Sequence, residues 1–282
     1  MPTYLDGIVA GYDGSGDSEQ ALRWATREAD ARGTILTACL VCSRDGLVPQ
    51  AEVAARRHAR DLLSQSLLPA EARLGPKRVR RAVARGQAAQ VLCDYSRTAD
   101  MVVIGARGQD GLSDLRLGSV PGQVAGHAHS PVVVVRGTWW PVNHSPGPIV
   151  VGVDGSAGSR AAISFAFEEA RLRRATLVAV CGLSDTTACF GGHARLEEEF
   201  HDAMTTLEKE HPEVTVLRQV TPGSPRHALL AAASGAQLVV TGARGRGGVP
   251  GMSLGSVAHA LLHYAPCPVA IAREREMIGG SS

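Results

Sequence analysis

The chain has 282 residues, a formal net charge of +2 and 44% hydrophobic residues, which suits two domains of ordinary size that each bury a core. A near-neutral balance, 4% aromatic content and no block of Lys/Arg exclude the electrostatic footprint of nucleic-acid binding, and no apolar run is long enough to span a membrane. Six cysteines do not form a disulfide framework in such a chain, and Met1 to Leu5 does not begin a signal peptide, so the expected location is cytoplasmic.

In chain order, β-branched apolar runs alternate with segments of helical period, the pattern of βαβ units around a parallel sheet. The first half reads as strands over 8–13, 35–42, 79–83, 101–104 and 132–135, with helices over 18–32, 52–68, 88–97 and 118–127. Residues 137–148 are rich in proline and glycine and have no period; they read as a linker, with the adjacent Trp139 and Trp140 as anchors between domains. The order then repeats, with strands over 149–154, 176–182, 214–220, 238–241 and 269–272 and helices over 159–174, 194–210, 226–234 and 255–264. The expected division is a first domain over 1–138, a linker over 139–147 and a second domain over 148–282.

The repeat extends to motifs. Asp13-Gly14-Ser15 returns as Asp154-Gly155-Ser156, each followed three residues later by a serine, Ser18 or Ser159. Gly105-Ala106-Arg107-Gly108, nine residues, then Gly118-Ser119-Val120 returns as Gly242-Ala243-Arg244-Gly245, nine residues, then Gly255-Ser256-Val257. Such a loop favours an anion, because glycines let the backbone approach oxygens and the free N–H groups and dipole of the following helix start attract negative charge. Ser119 and Ser256 add hydroxyls there, and Arg107 and Arg244 add cations.

Asp13 and Asp154 end first strands, at the carboxyl edge where open α/β sheets bind ligands. If the first and fourth strands adjoin, each aspartate faces its loop across a crevice that suits a nucleotide, with phosphates on the loop and a ribose or Mg²⁺ beside the carboxylate. The same Asp-Gly-Ser is equally a turn former, and Ser15, Ser18, Ser156 and Ser159 read as helix caps. Cys39 and Cys42 form a C-x-x-C that reads as structural, since no second pair at zinc spacing follows. Gly122 and Gly126 are expected to loosen the helix after the first loop.

The repeated Asp-Gly-Ser-x-x-Ser turn, the two glycine loops and the closing Ala265-Pro266-Cys267-Pro268-Val269 resemble the universal stress protein family in its tandem form. The resemblance implies two Rossmann-like (adenine nucleotide alpha hydrolase-like) domains, each a five-stranded parallel sheet of order 3-2-1-4-5 flanked by helices. It also implies a regulator of the stress response that binds ATP with Mg²⁺ and hydrolyses it weakly at most. Carried over by position, the first site is Asp13, Gly105, Arg107, Gly108, Gly118, Ser119 and Val120, and the second is Asp154, Gly242, Arg244, Gly245, Gly255, Ser256 and Val257. A main-chain adenine contact falls near Cys39 and Val180. The family's habit of pairing domains through closing strands implies an internal pseudo-dimer through 132–135 and 269–272, leaving any further homodimer and the protein partner open. Two other readings stand beside it: a scaffold of the same fold without nucleotide, and an ATP-cleaving adenylating enzyme. Ser15-Gly16-Asp17-Ser18 approaches the loop that the latter needs but lacks its second glycine and its spacing. No catalytic residue is assigned, because no paired carboxylates or activated nucleophile adjoin either loop.

Overall fold

A computed structural model describes residues 5–42, 49–108, 117–136, 147–183, 192–246 and 252–273. The first half runs β1 (Ile8–Gly11), α1 (Gly16–Ala31), β2 (Leu36–Cys42), α2 (Pro49–Ser66), α3 (Leu68–Leu74), β3 (Val79–Arg85), α4 (Ala88–Tyr95), β4 (Met101–Gly105), α5 (Ser119–His127) and β5 (Val132–Val135). The second repeats it as β6 (Ile149–Gly152), α6 (Ala157–Arg173), β7 (Leu177–Leu183), α7 (Gly192–Glu210), β8 (Val216–Pro222), α8 (Pro225–Ala232), β9 (Leu238–Gly242), α9 (Ser256–Tyr264) and β10 (Val269–Ala272).

One departure from the sequence reading is the helix expected over 52–68, which continues as the separate helix α3. Pro69 sits in the first turn of α3, where its missing N–H has no intrahelical acceptor to lose. Trp139 and Trp140, and with them the anchor reading, lie outside the described residues.

The ten strands form a sheet of order β3-β2-β1-β4-β5-β10-β9-β6-β7-β8. Within each half the order is the expected 3-2-1-4-5 and every pairing is parallel, which requires both faces to be covered by helices. Alternate residues therefore feed two cores: Ile8, Ala10, Met101 and Val103 face one, and Val9, Val102 and Ile104 the other. Between the halves the direction reverses, and β5 pairs antiparallel with β10 in the register Val132↔Ile271, Val133↔Ala270 and Val134↔Val269. All six side chains are fully buried. Separating the strands would leave the N–H and C=O groups of two apolar edges unpaired.

Gly126 is the second departure. It stands inside a formed α5, where a Cβ would come within 2.7 Å of Ser253 Oγ. The residue that weakens the helix in sequence terms admits a close approach by the other half of the chain.

Candidate functional site

In the second half, β6 lies between β7 and β9, so the chain leaves the sheet in opposite directions on the two sides of β6 and a crevice opens at the carboxyl edge. A cavity of about 640 Å³ fills it, within the usual size of a small-molecule site. Its walls are the β6–α6 turn with Asp154 and Ser156, the end of β7 with Val180 and Gly182, the start of α8 with Pro225, Arg226 and Leu229, the loop Gly242 to Arg246, and the start of α9 with Gly255, Ser256 and Val257.

The loop and the two helix starts are held together by short-range geometry. Gly242 is required because a Cβ there would lie 2.6 Å from the backbone of Gly158 in the first turn of α6. Gly245 is required because a Cβ would overlap Asp154 Oδ2. Asp154 Oδ1 accepts from Ser156 N at 3.0 Å and Ser156 Oγ at 2.6 Å, while Oδ2 accepts from Arg246 N at 3.0 Å, so one carboxylate ties the turn to the loop. Gly255 N donates to Ala243 O at 2.8 Å, which returns the chain to the loop just before α9 begins. Among the described residues no side chain caps α9, which leaves its first-turn N–H groups as donors at the cavity wall. Arg226 and Arg244 line the same space, and Arg246 pairs with Glu199 of α7.

The first half builds a similar frame. Ser15 N donates to Asp13 Oδ1 at 2.9 Å, and a Cβ on Gly108 would lie 2.7 Å from Asp13 Oδ2. Gly118 N donates to Ala106 O at 2.8 Å, and among the described residues α5, beginning with Ser119 and Val120, again has no side-chain cap. Gly105 packs on the first turn of α1, 2.7 Å from Asp17 C if it carried a Cβ. Arg107, however, donates from Nε to Asp17 Oδ2 at 3.1 Å and from Nη2 to Oδ1 at 3.4 Å. That carboxylate raises the Arg107 pKa further.

The model of the universal stress protein family matches residues 6–136 and again 147–273. The chain belongs to the universal stress protein family. Universal stress protein Rv2623 of Mycobacterium tuberculosis is 32% identical over 286 residues, covering 95% of this chain and 96% of its own. A universal stress protein of Mycolicibacterium smegmatis is 34% identical over 286 residues, with 95% and 97% coverage. Among solved structures, a universal stress protein of Archaeoglobus fulgidus covers 96% of this chain and 97% of its own with a TM-score of 0.72 at 20% identity, a likeness of fold.

In this universal stress protein the cavity of the second half gathers Asp154, Val180, Gly242, Arg244, Gly245, Gly255, Ser256 and Val257 along its walls. Ser15 and Ser156 are the caps they were read as, accepting from Ser18 N at 3.2 Å and Ser159 N at 3.1 Å. The carbonyls of Cys39 and Val180 already accept from Tyr12 N at 2.8 Å and Val153 N at 2.9 Å. Cys39 is 1% exposed and burial pushes its thiol up to about 12, as suits the structural reading of the C-x-x-C, whose two cysteines are both free. Sequence reasoning missed Arg226: its signal was Gly223-Ser224-Pro225, a helix start at the carboxyl end of the third strand of that half. Among the described residues no group of three metal-ligating side chains forms a metal site, and no helix is long and apolar enough to cross a membrane.

Proposed function

We propose that this chain is a cytoplasmic, ATP-binding regulator of the stress response, built from domains over 1–138 and 148–282 joined by 139–147 as an internal pseudo-dimer. The observation that carries the reading is the cavity of the second half, where a glycine loop, an uncapped helix start and the arginines Arg226 and Arg244 converge on about 640 Å³. The donor set fits a polyphosphate: the N–H groups at the start of α9 and the guanidinium groups of Arg226 and Arg244 are all donors. Val180, Leu229 and Pro225 supply the apolar wall that an adenine ring needs. Asp154 keeps lone pairs beyond its three hydrogen bonds, enough to take a ribose hydroxyl or a Mg²⁺ carried by the phosphates. With no base positioned at the loop among the described residues, ATP acts as a bound signal whose hydrolysis is slow.

The test is to denature the purified chain, identify any released nucleotide, and titrate Mg·ATP by calorimetry. Binding that is lost in Gly245→Val, whose side chain would displace Asp154, supports the reading. A chain that releases no nucleotide and takes up no Mg·ATP is the scaffold instead.

A further inference from the structure

The two cradles match position by position until the first turn of their leading helices. With Asp13 and Ser18 on Asp154 and Ser159, the counterpart of Asp17 is Gly158. In α1 the Asp17 carboxylate, on a side chain only 10% exposed, engages the Nε/Nη2 edge of Arg107. In α6 a Cβ on Gly158 would lie 2.6 Å from Arg244 O, so the helix and loop backbones come together where a carboxylate has no room. Arg244 accordingly lines the cavity, and among the described residues no carboxylate pairs with it. Arg226, a second cation of that cavity, has Ala89 as its counterpart in the first half. Among the described residues the second cradle thus offers an anion Arg226 and Arg244, which pair with no carboxylate, beside Asp154; the first offers Arg107, already neutralised, with Asp17 as well as Asp13 beside the loop.

We infer that Asp17 is a specificity-determining residue that closes the first cradle to polyanions, so that two glycine loops yield one working nucleotide site. The inference rests on the nucleotide-binding reading of the second half. An entering phosphate meets an arginine whose charge is already balanced, and it must either displace Asp17 from the Nε/Nη2 edge or sit beside that carboxylate, whose like charge opposes it.

Calorimetric titration with Mg·ATP of the unmodified chain, Gly245→Val, Asp17→Asn/Gly245→Val and Asp17→Ala/Gly245→Val tests this, with thermal melts to establish that each is folded. The expected result is one ATP per unmodified chain and no binding by Gly245→Val. Either Asp17 substitution on that background restores measurable binding of about one ATP per chain, and adding Gly108→Val removes it again. Two equal sites in the unmodified chain, or no gain from either Asp17 substitution while the unmodified chain binds, overturns the inference and leaves the nucleotide reading standing. An unmodified chain that binds no Mg·ATP overturns both.

Discussion

Asp154 illustrates how one residue serves the frame of the candidate site. The Asp-Gly-Ser string left turn former and ligand contact level, and the turn role is present, since the carboxylate bridges Ser156 and Arg246. The glycines around it are legible for the same reason: only the absence of a Cβ lets β9 touch the start of α6. Gly242→Ala should therefore push the Gly158 backbone away and destabilise by about 1–3 kcal/mol, as overpacking does, lowering the melting midpoint by roughly 2–4 °C per kcal/mol. Arg226 was not legible, because nothing local shows that the third strand's exit faces the fourth strand's loop. Arg226→Ala should weaken Mg·ATP binding about tenfold or more, the worth of a charge-assisted hydrogen bond, and flatten the salt dependence measured by calorimetry.

At the scale of elements, α1 and α6 meet through a face that repeats every four residues: Trp24, Glu28 and Arg32 against Phe165, Glu169 and Arg173. Arg32 pairs with Glu28 and Glu169 and reaches Glu168 at 2.7 Å, while Arg173 pairs with Glu169 and reaches Glu28 at 2.5 Å. Arg173 lies over the Trp24 ring at 5.3 Å and Arg32 over Phe165 at 5.9 Å, so each half supplies the aromatic floor for the other's arginine. Glu28 and Glu169 are almost fully buried, and breaking such a network typically costs about 3–5 kcal/mol, so Arg173→Met should lower the melting midpoint while leaving both cradles formed. Burial opposes ionisation of Glu28, yet Arg173 and Arg32 hold its pKa below the ordinary value; burial, then the charge of Glu28, pushes Glu169 up to about 8. A carboxyl whose value is higher folded than unfolded contributes stability that is complete below its unfolded value and lost as pH rises through its folded one. Stability should thus decline as pH rises from about 4.5 towards 8, and Glu169→Gln should flatten that slope in denaturant titrations at stepped pH.

For the whole molecule, the decisive contact is β5 against β10, which turns two five-stranded sheets into one and leaves neither closing strand as an exposed edge. Arg136 after β5 donates to His263 O at 2.9 Å at the end of α9, and Arg273 after β10 donates to Ala125 O in α5, so each half tethers the other's last helix. With the strand pairing and the α1–α6 cluster, these contacts should make the halves unfold as one unit, giving a single calorimetric transition in which measured and van't Hoff enthalpies agree. Ala270→Pro, which removes an N–H from a strand paired on both sides, should split or abolish that transition. What the sequence determined by itself was everything carried by local period and by repetition: the ten strands, the two copies, and the glycine loops with the helix starts after them. Those features depend on neighbours in the chain, where alternation, β-branching and glycine spacing act directly. Which faces meet was decided only in three dimensions. The opposition of Asp17 to Arg107, the arrival of Arg226 at the cavity and the interlocked glutamates and arginines join residues far apart in the chain, and their pairing follows from strand order and the close packing of helices on the sheet.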